Sequence, residues 1–157
     1  YGLELRSTIN FDKIGWRGAK LDVEFELQDS QVLDPLTGEK RPISDTLEHE
    51  IEFELRHDIP GSDFAWGGGF YNYQITPTYR LTEIGRAYEG PYWGNVFIEH
   101  KDIMGLTVRA TAGNLPGARS RWDRTVYAGR RTDPVAFYED RDRRIGRIFS
   151  IQINGDF

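Results

Sequence analysis

Carboxylates recur at every second position in two stretches of this chain. Asp22, Glu24 and Glu26 form one row; Glu50, Glu52, Glu54 and Asp58 form another. Two carboxyls held close raise one another's pKa, so such a pair could divide the work of general acid and general base, as in a glycoside hydrolase. These rows offer many equivalent carboxylates and no pair set apart. The same residues suit a hydrated channel wall, with Glu24, Glu26, Glu50, Glu52, Glu54 and Arg56 facing the lumen and water screening the charge. We adopt the wall and assign no catalytic residue.

Other chemistry is weaker. His49, His57 and His100 show no metal-ligand spacing, and His49 and His57 fall in phase with apolar residues, so no metal is expected. The run Trp66-Gly67-Gly68-Gly69-Phe70 lacks the Lys-Ser/Thr of a phosphate loop; its glycines let a strand bend or another backbone approach. Residues 119–144 hold eight arginines among Trp122, Tyr127, Phe137 and Tyr138. Arginine with aromatics suits anionic or ring-bearing ligands, so Arg121, Trp122, Tyr127, Arg130 and Arg131 are candidate ligand contacts. The nearby acids, or lipid phosphates, could take those arginines instead. A net charge of -5 argues against nucleic acid, and the absence of cysteine removes disulfides and thiolate metal sites.

The elements that must position these residues are strands. Apolar and polar residues alternate with period two through most of the chain. Leu21, Val23, Phe25 and Leu27 separate cleanly from the first acidic row, and Ile51, Phe53 and Leu55 from the second. Helical spacing would mix the two sets. Seven strands are expected, near residues 3–11, 20–28, 50–59, 64–80, 92–101, 106–114 and 146–157, mostly of the length a tilted strand needs to cross a bilayer. Short turns at 12–15, 60–63 and 102–105 alternate with long polar connections at 29–48, 81–91 and 116–144. Short turns at one end and long loops at the other is the layout of an outer-membrane barrel. Tyr1, Phe11, Trp16, Phe64, Trp66, Tyr79, Tyr92, Trp93, Phe149 and Phe157 fall near strand ends, as bilayer-interface aromatics do.

The last segment is the most specific. Gly146-Arg147-Ile148-Phe149 leads through Ile151 and Ile153 to a final Phe157, and it follows a long stretch from Asn114-Leu115-Pro116-Gly117-Ala118 through Arg121-Trp122-Asp123 to Arg130-Arg131. This resembles the last strand and late loop of TonB-dependent outer-membrane receptors, closely over residues 92–157 and at the level of pattern before that. It departs at Gly155, where such tails often carry an apolar residue. The resemblance implies an insertion signal at Gly146, Phe149, Ile151, Ile153 and Phe157, read by the barrel assembly machinery. It also implies a plug domain and about 22 strands, so these seven are expected to be the C-terminal part of the barrel. The start at Tyr1 reads as a truncated or processed end.

The expectation is an all-β, antiparallel transmembrane barrel segment in the bacterial outer membrane, contacting its lipid. Its function would be energised uptake of a scarce small-molecule ligand such as an iron chelate, cobalamin or oligosaccharide. TonB would act through the N-terminal part, with no cofactor and no enzymatic activity. The alternatives are a passive porin-like channel and a soluble β-sandwich that binds or cleaves carbohydrate.

Overall fold

The computed structural model describes residues 1–90 and 92–155, so Phe157 of the expected insertion signal lies outside the described residues. The chain is all-β with antiparallel sheets. In chain order the strands are β1 (Gly2–Asn10), β2 (Ala19–Gln28), the short β3 (Val32–Leu33) and β4 (Lys40–Arg41), β5 (Leu47–Asp58), β6 (Phe64–Ile75), β7 (Thr78–Tyr79), β8 (Glu83–Gly90), β9 (Trp93–Ile103), β10 (Leu106–Gly113), β11 (Arg119–Tyr127), β12 (Val135–Arg144) and β13 (Ile148–Asn154).

The seven strands expected from alternation form one up-and-down sheet in the order β1-β2-β5-β6-β9-β10-β13. Among the described residues it is an open sheet, not a closed barrel. Three short connections lie at one end. The tightest joins β9 to β10 through Met104 and Gly105, both with positive φ, as a two-residue hairpin turn requires.

The long connections depart from expectation. Residues 81–91 and 116–144, read as polar loops, contain β8, β11 and β12. With β7 these make a second sheet, ordered β12-β11-β8-β7. It continues the ladders of the first sheet. Gly113 of β10 faces Asn95 of β9; six residues on, Arg119 of β11 faces Gly90, five residues back. One extra residue therefore separates the two halves of that ladder, the signature of a bulge. The other two ladders resume with a shift of one and of two residues respectively. Tyr71 faces Trp93 below and Thr78 faces Gly85 above, while Gly113 faces Ile148 below and Arg119 faces Arg144 above.

Asn114 fixes the break. Its backbone is left-handed, at φ 54°, and its side chain is fully buried. Its Oδ1 accepts from Ala118 N at 2.6 Å. Its Nδ2 donates to the carbonyls of Ala118 at 3.0 Å and Gly146 at 2.7 Å. Gly146, expected to be part of an insertion signal, thus sits in the break before β13 with φ 81° and is tied across to Asn114.

The register separates the seven-stranded sheet into two unlike faces. On one lie Leu5, Phe25, Ile51, Phe53, Phe70, Ile98, Ala110 and Ile151, in phase across the ladders. This apolar face is not packed against protein: Leu5 is 56% exposed, Ile98 54% and Ile151 74%. The only apolar residues buried among those described are Ala19, Ala65, Phe97 and Ala118. A water-soluble domain of this length would bury a large apolar core.

Candidate functional site

The opposite face carries the charges. Cross-strand pairing sets Glu24 against Arg6 and Glu52, Glu26 against Glu4 and Glu50, and Asp22 against Thr8 and Glu54. The expected lumen set therefore does share one face. Cross-strand neighbours have Cβ atoms about 5 Å apart, and like charges so placed repel. Two cations answer them locally: Arg6 bonds Glu4 and Glu24, both at 2.8 Å, and Lys20 bonds Asp22 at 2.9 Å. An open cavity of about 430 Å³ lies over this field, lined by Arg6, Asp22, Glu24, Glu52 and Glu54. It holds two cross-strand carboxylate pairs, Glu24–Glu52 and Asp22–Glu54, and both open to solvent rather than into a dry pocket. Among the described residues no group of His, Asp and Glu is placed to hold a metal ion.

Toward the short-turn end this face becomes balanced. Arg56 bonds Glu99 at 2.6 Å and Asp58 at 2.9 Å, and Lys101 reaches Asp58 at 2.6 Å. Phe97 lies over Gly67: a Cβ there would meet the Leu55 carbonyl at 2.1 Å and the Phe97 ring at 2.7 Å. The Arg109 guanidinium stacks on the same ring, 3.5 Å from its centroid. The glycine-rich run thus makes room for a ring clamped by arginine.

The apolar face has marked borders. At the short-turn end Trp16 stacks with Phe11 at 5.5 Å and meets His57 at 5.4 Å, while His57 meets Trp66 at 5.6 Å. Phe64 and His100 meet at 4.6 Å. At the other end His49 pairs with Asn72 at 2.9 Å, and Phe70 meets Tyr92 at 5.5 Å. Tyr79 and Trp93, grouped with these aromatics from the sequence, lie elsewhere. Trp93 is opposite Tyr71 on the charged face, and Tyr79 is in the outer region.

The outer region is knotted together by Asp34, which is 1% exposed. Its carboxylate accepts from Arg41 Nε at 2.5 Å, a terminal nitrogen of Arg131 at 2.6 Å, and the backbone N–H groups of Leu36 and Thr37. Both guanidinium groups lie over the Tyr79 ring. Burial pushes the Asp34 carboxyl up, but these donors outweigh it and hold the group far below the usual carboxylate range. Three long connections are joined in this way. Asp34-Pro35-Leu36-Thr37-Gly38 reads locally as a turn, but its partner is 97 residues away and no local signal announces it.

Of the candidate ligand contacts, Arg131 is occupied by this knot and its side chain is only 7% exposed. Trp122 lies between the guanidinium groups of Arg124 and Arg141, at 4.6 and 4.7 Å. Arg124 also bonds Glu139 at 2.7 Å and Glu83 at 2.8 Å. Arg121 lies on the other side of β11, 3.8 Å from Asp142. The Tyr127 N–H donates to Thr82 at the far end of that strand, and Arg130 is exposed at the hairpin tip, its N–H bonded to Asp133. The five residues therefore do not converge. Trp122, Arg124, Arg141 and Arg143 form the more coherent group, and no alternation in the sequence singles it out.

Comparison with protein-family models, with curated proteins and with solved structures gives no match.

Proposed function

We propose that this chain is part of the wall of a transmembrane β-barrel in a bacterial outer membrane, and that it serves a TonB-dependent receptor taking up a scarce small-molecule ligand. One observation carries the reading: a seven-stranded sheet with a continuous exposed apolar face, bordered at both ends by aromatic and polar residues, and a charged opposite face. An apolar area of this extent marks a membrane or partner surface. A transmembrane barrel needs lipid on one face, water on the other and aromatic girdles at both interfaces.

The dimensions agree. His49 to His57 spans eight residue steps on β5, about 26 Å along the strand and about 20 Å of depth at a tilt of about 40°. A soluble β-sandwich would need a second sheet over the apolar face, and among the described residues none covers it. Uptake rather than passive diffusion is favoured by the outer hairpins. They rise beyond the apolar band as a tied assembly and carry the Trp122–arginine cluster on the side of Ile75 and Thr78, toward the lumen.

Site-directed spin labels test the reading. Labels at Phe53 and Ile151 should be relaxed by lipid-soluble oxygen and shielded from a polar nickel chelate, with the reverse at Glu52. Polar-reagent access at Phe53 equal to that at Glu52 would end the barrel reading. Binding of TonB to the receptor, and ligand uptake that stops without it, would separate receptor from porin.

A further inference from the structure

Three aromatic rings stand on the charged face, where the wall of a water-filled lumen would be polar. Tyr71 and Tyr73 of β6 pair with Glu52 and Glu50 of β5, and Trp93 of β9 pairs with Tyr71 on its other side. All three are half-buried and lie within the seven-stranded sheet. They belong to neither border of the apolar face, which is the opposite side of these strands.

The two tyrosine rings are in contact, with centroids 5.3 Å apart and planes tilted by 37°. Glycine leaves space for the third ring: a Cβ at Gly113 of β10 would lie 3.8 Å from the Trp93 indole. One step below, the Asn95 amide covers Gly69, where a Cβ would meet its Nδ2 at 3.0 Å. The strip crosses from β6 over β9 toward β10, roughly 10 Å at the usual strand spacing. It lies just inside the outer border, one pair below His49 and its partner Gln74 on the same ladder.

A ring on a wet wall offers an apolar face, and the fitting ligand has an apolar face with hydroxyl groups around its rim. A pyranose ring has both: C–H groups on its face and hydroxyls at its edge. The strip is edged by acceptors and donors for those hydroxyls, the carboxylates of Glu50 and Glu52 and the Asn95 amide. Charge narrows the class further. Glu24 and Glu26 stand behind Glu52 and Glu50 on β2, and Arg6 is already bonded to Glu4 and Glu24. An anionic chelate would meet these carboxylates as like charge at short range.

We propose that Tyr71, Tyr73 and Trp93 form a stacking strip for a neutral oligosaccharide, with Glu50, Glu52 and Asn95 bonding its hydroxyls. The proposal rests on the barrel-wall reading and names the ligand class that this wall receives.

The test uses the protein in neutral detergent and saturation-transfer NMR. The probe is a mixture of neutral oligosaccharides from partial hydrolysis of starch, cellulose and xylan. Ferric citrate and spermidine serve as anionic and cationic competitors. Saturation should pass to the ring C–H protons of a sugar, and a roughly tenfold rise in salt should leave the signal unchanged, because no charge pair forms. Calorimetry then gives the affinity for that sugar. Each stacked ring contributes about fivefold in affinity. Trp93→Ala and Tyr71→Ala should each weaken binding by that factor, whereas Trp93→Phe, which keeps a flat ring, should retain most of it.

No transfer to any sugar would overturn the proposal. So would unchanged affinity in the alanine variants, or displacement of sugar by spermidine or ferric citrate, which would mark a charged-ligand site. Heat-modifiable electrophoretic mobility shows whether each variant is folded, and if one alanine variant does not fold the other decides. Absence of sugar binding in a protein whose Phe53 label is lipid-exposed sinks this inference alone. A water-exposed Phe53 label sinks the wall reading as well.

Discussion

Phe53→Arg is the sharpest probe of what the apolar face meets. Phe53 is 40% exposed and sits four residues from His49 and four from His57, at the centre of the band. Four steps of about 3.3 Å at a tilt of about 40° put it roughly 10 Å below either border. Leu27, paired with His49, is 49% exposed and lies at the border itself. Alanine at each site removes packing without adding charge, so the quantity of interest is the difference between Arg and Ala. In lipid that difference should be about 2–4 kcal/mol at Phe53 and about 0–1 kcal/mol at Leu27. On a sheet bathed in water both should be near zero, because the guanidinium would stay hydrated. Urea titration of the protein folded into phosphatidylcholine vesicles measures all four variants. A Phe53 penalty no larger than that at Leu27 would refute the depth argument and the membrane placement built on it.

The charged face and the outer knot give two further expectations. Glu52→Gln and Glu54→Gln, each tested singly, should leave folding intact or raise stability by up to about 1 kcal/mol, because each relieves a like-charge contact across the ladder, with Glu24 and with Asp22. Conductance of the reconstituted barrel should show weaker cation preference, whereas abolition of a hydrolytic activity by one such change would promote the glycosidase alternative. Asp34→Asn should release residues 29–46 to protease and speed amide exchange there, with the seven-stranded sheet unaffected. The sign of the pH dependence follows from the depressed carboxyl: its contribution is present above the ordinary carboxylate range and is lost as pH falls through its lowered folded pKa. Loop protection should thus hold from neutral pH to about pH 4, and loss near pH 6 would show that another group ties the knot.

The seven strands were legible because one face of each is apolar and the other polar. Glu50-Ile51-Glu52-Phe53-Glu54-Leu55 admits one periodicity, and the register honours it at every step. The charged face was legible for the same reason: period two carries all its members to one side once the strand is granted. The outer site was not. Arg121-Trp122-Asp123-Arg124-Thr125 on β11 and Glu139-Asp140-Arg141-Asp142-Arg143 on β12 have polar groups on both faces, so no hydropathy alternation survives. Those strands are held by ladder bonds and cross-strand ion pairs such as Arg124–Glu139, which single-sequence patterning does not register. Asp34 and Arg131 meet only because both loops fold back over Tyr79.

This uneven legibility carries physical information of its own. The ladders run on through the break at Asn114 and Gly146 with a shift of one or two residues, so the backbone is a strand on both sides of it. Pairing alone cannot explain why alternation is present below the break and absent above it. A change of solvent can. On the barrel-wall reading, one face below the break meets an apolar medium and the other water, and that forces the sequence to alternate. Above, both faces meet water, and selection acts on charge pairing and on whatever binds there. The level at which the pattern fails is also the level at which His49–Asn72 and Phe70–Tyr92 border the apolar face and Arg119 and Arg144 begin. In the proposed barrel wall, three features, drawn from sequence periodicity, ring and hydrogen-bond geometry, and charge, would thus set the outer edge of the membrane at one height on the same strands.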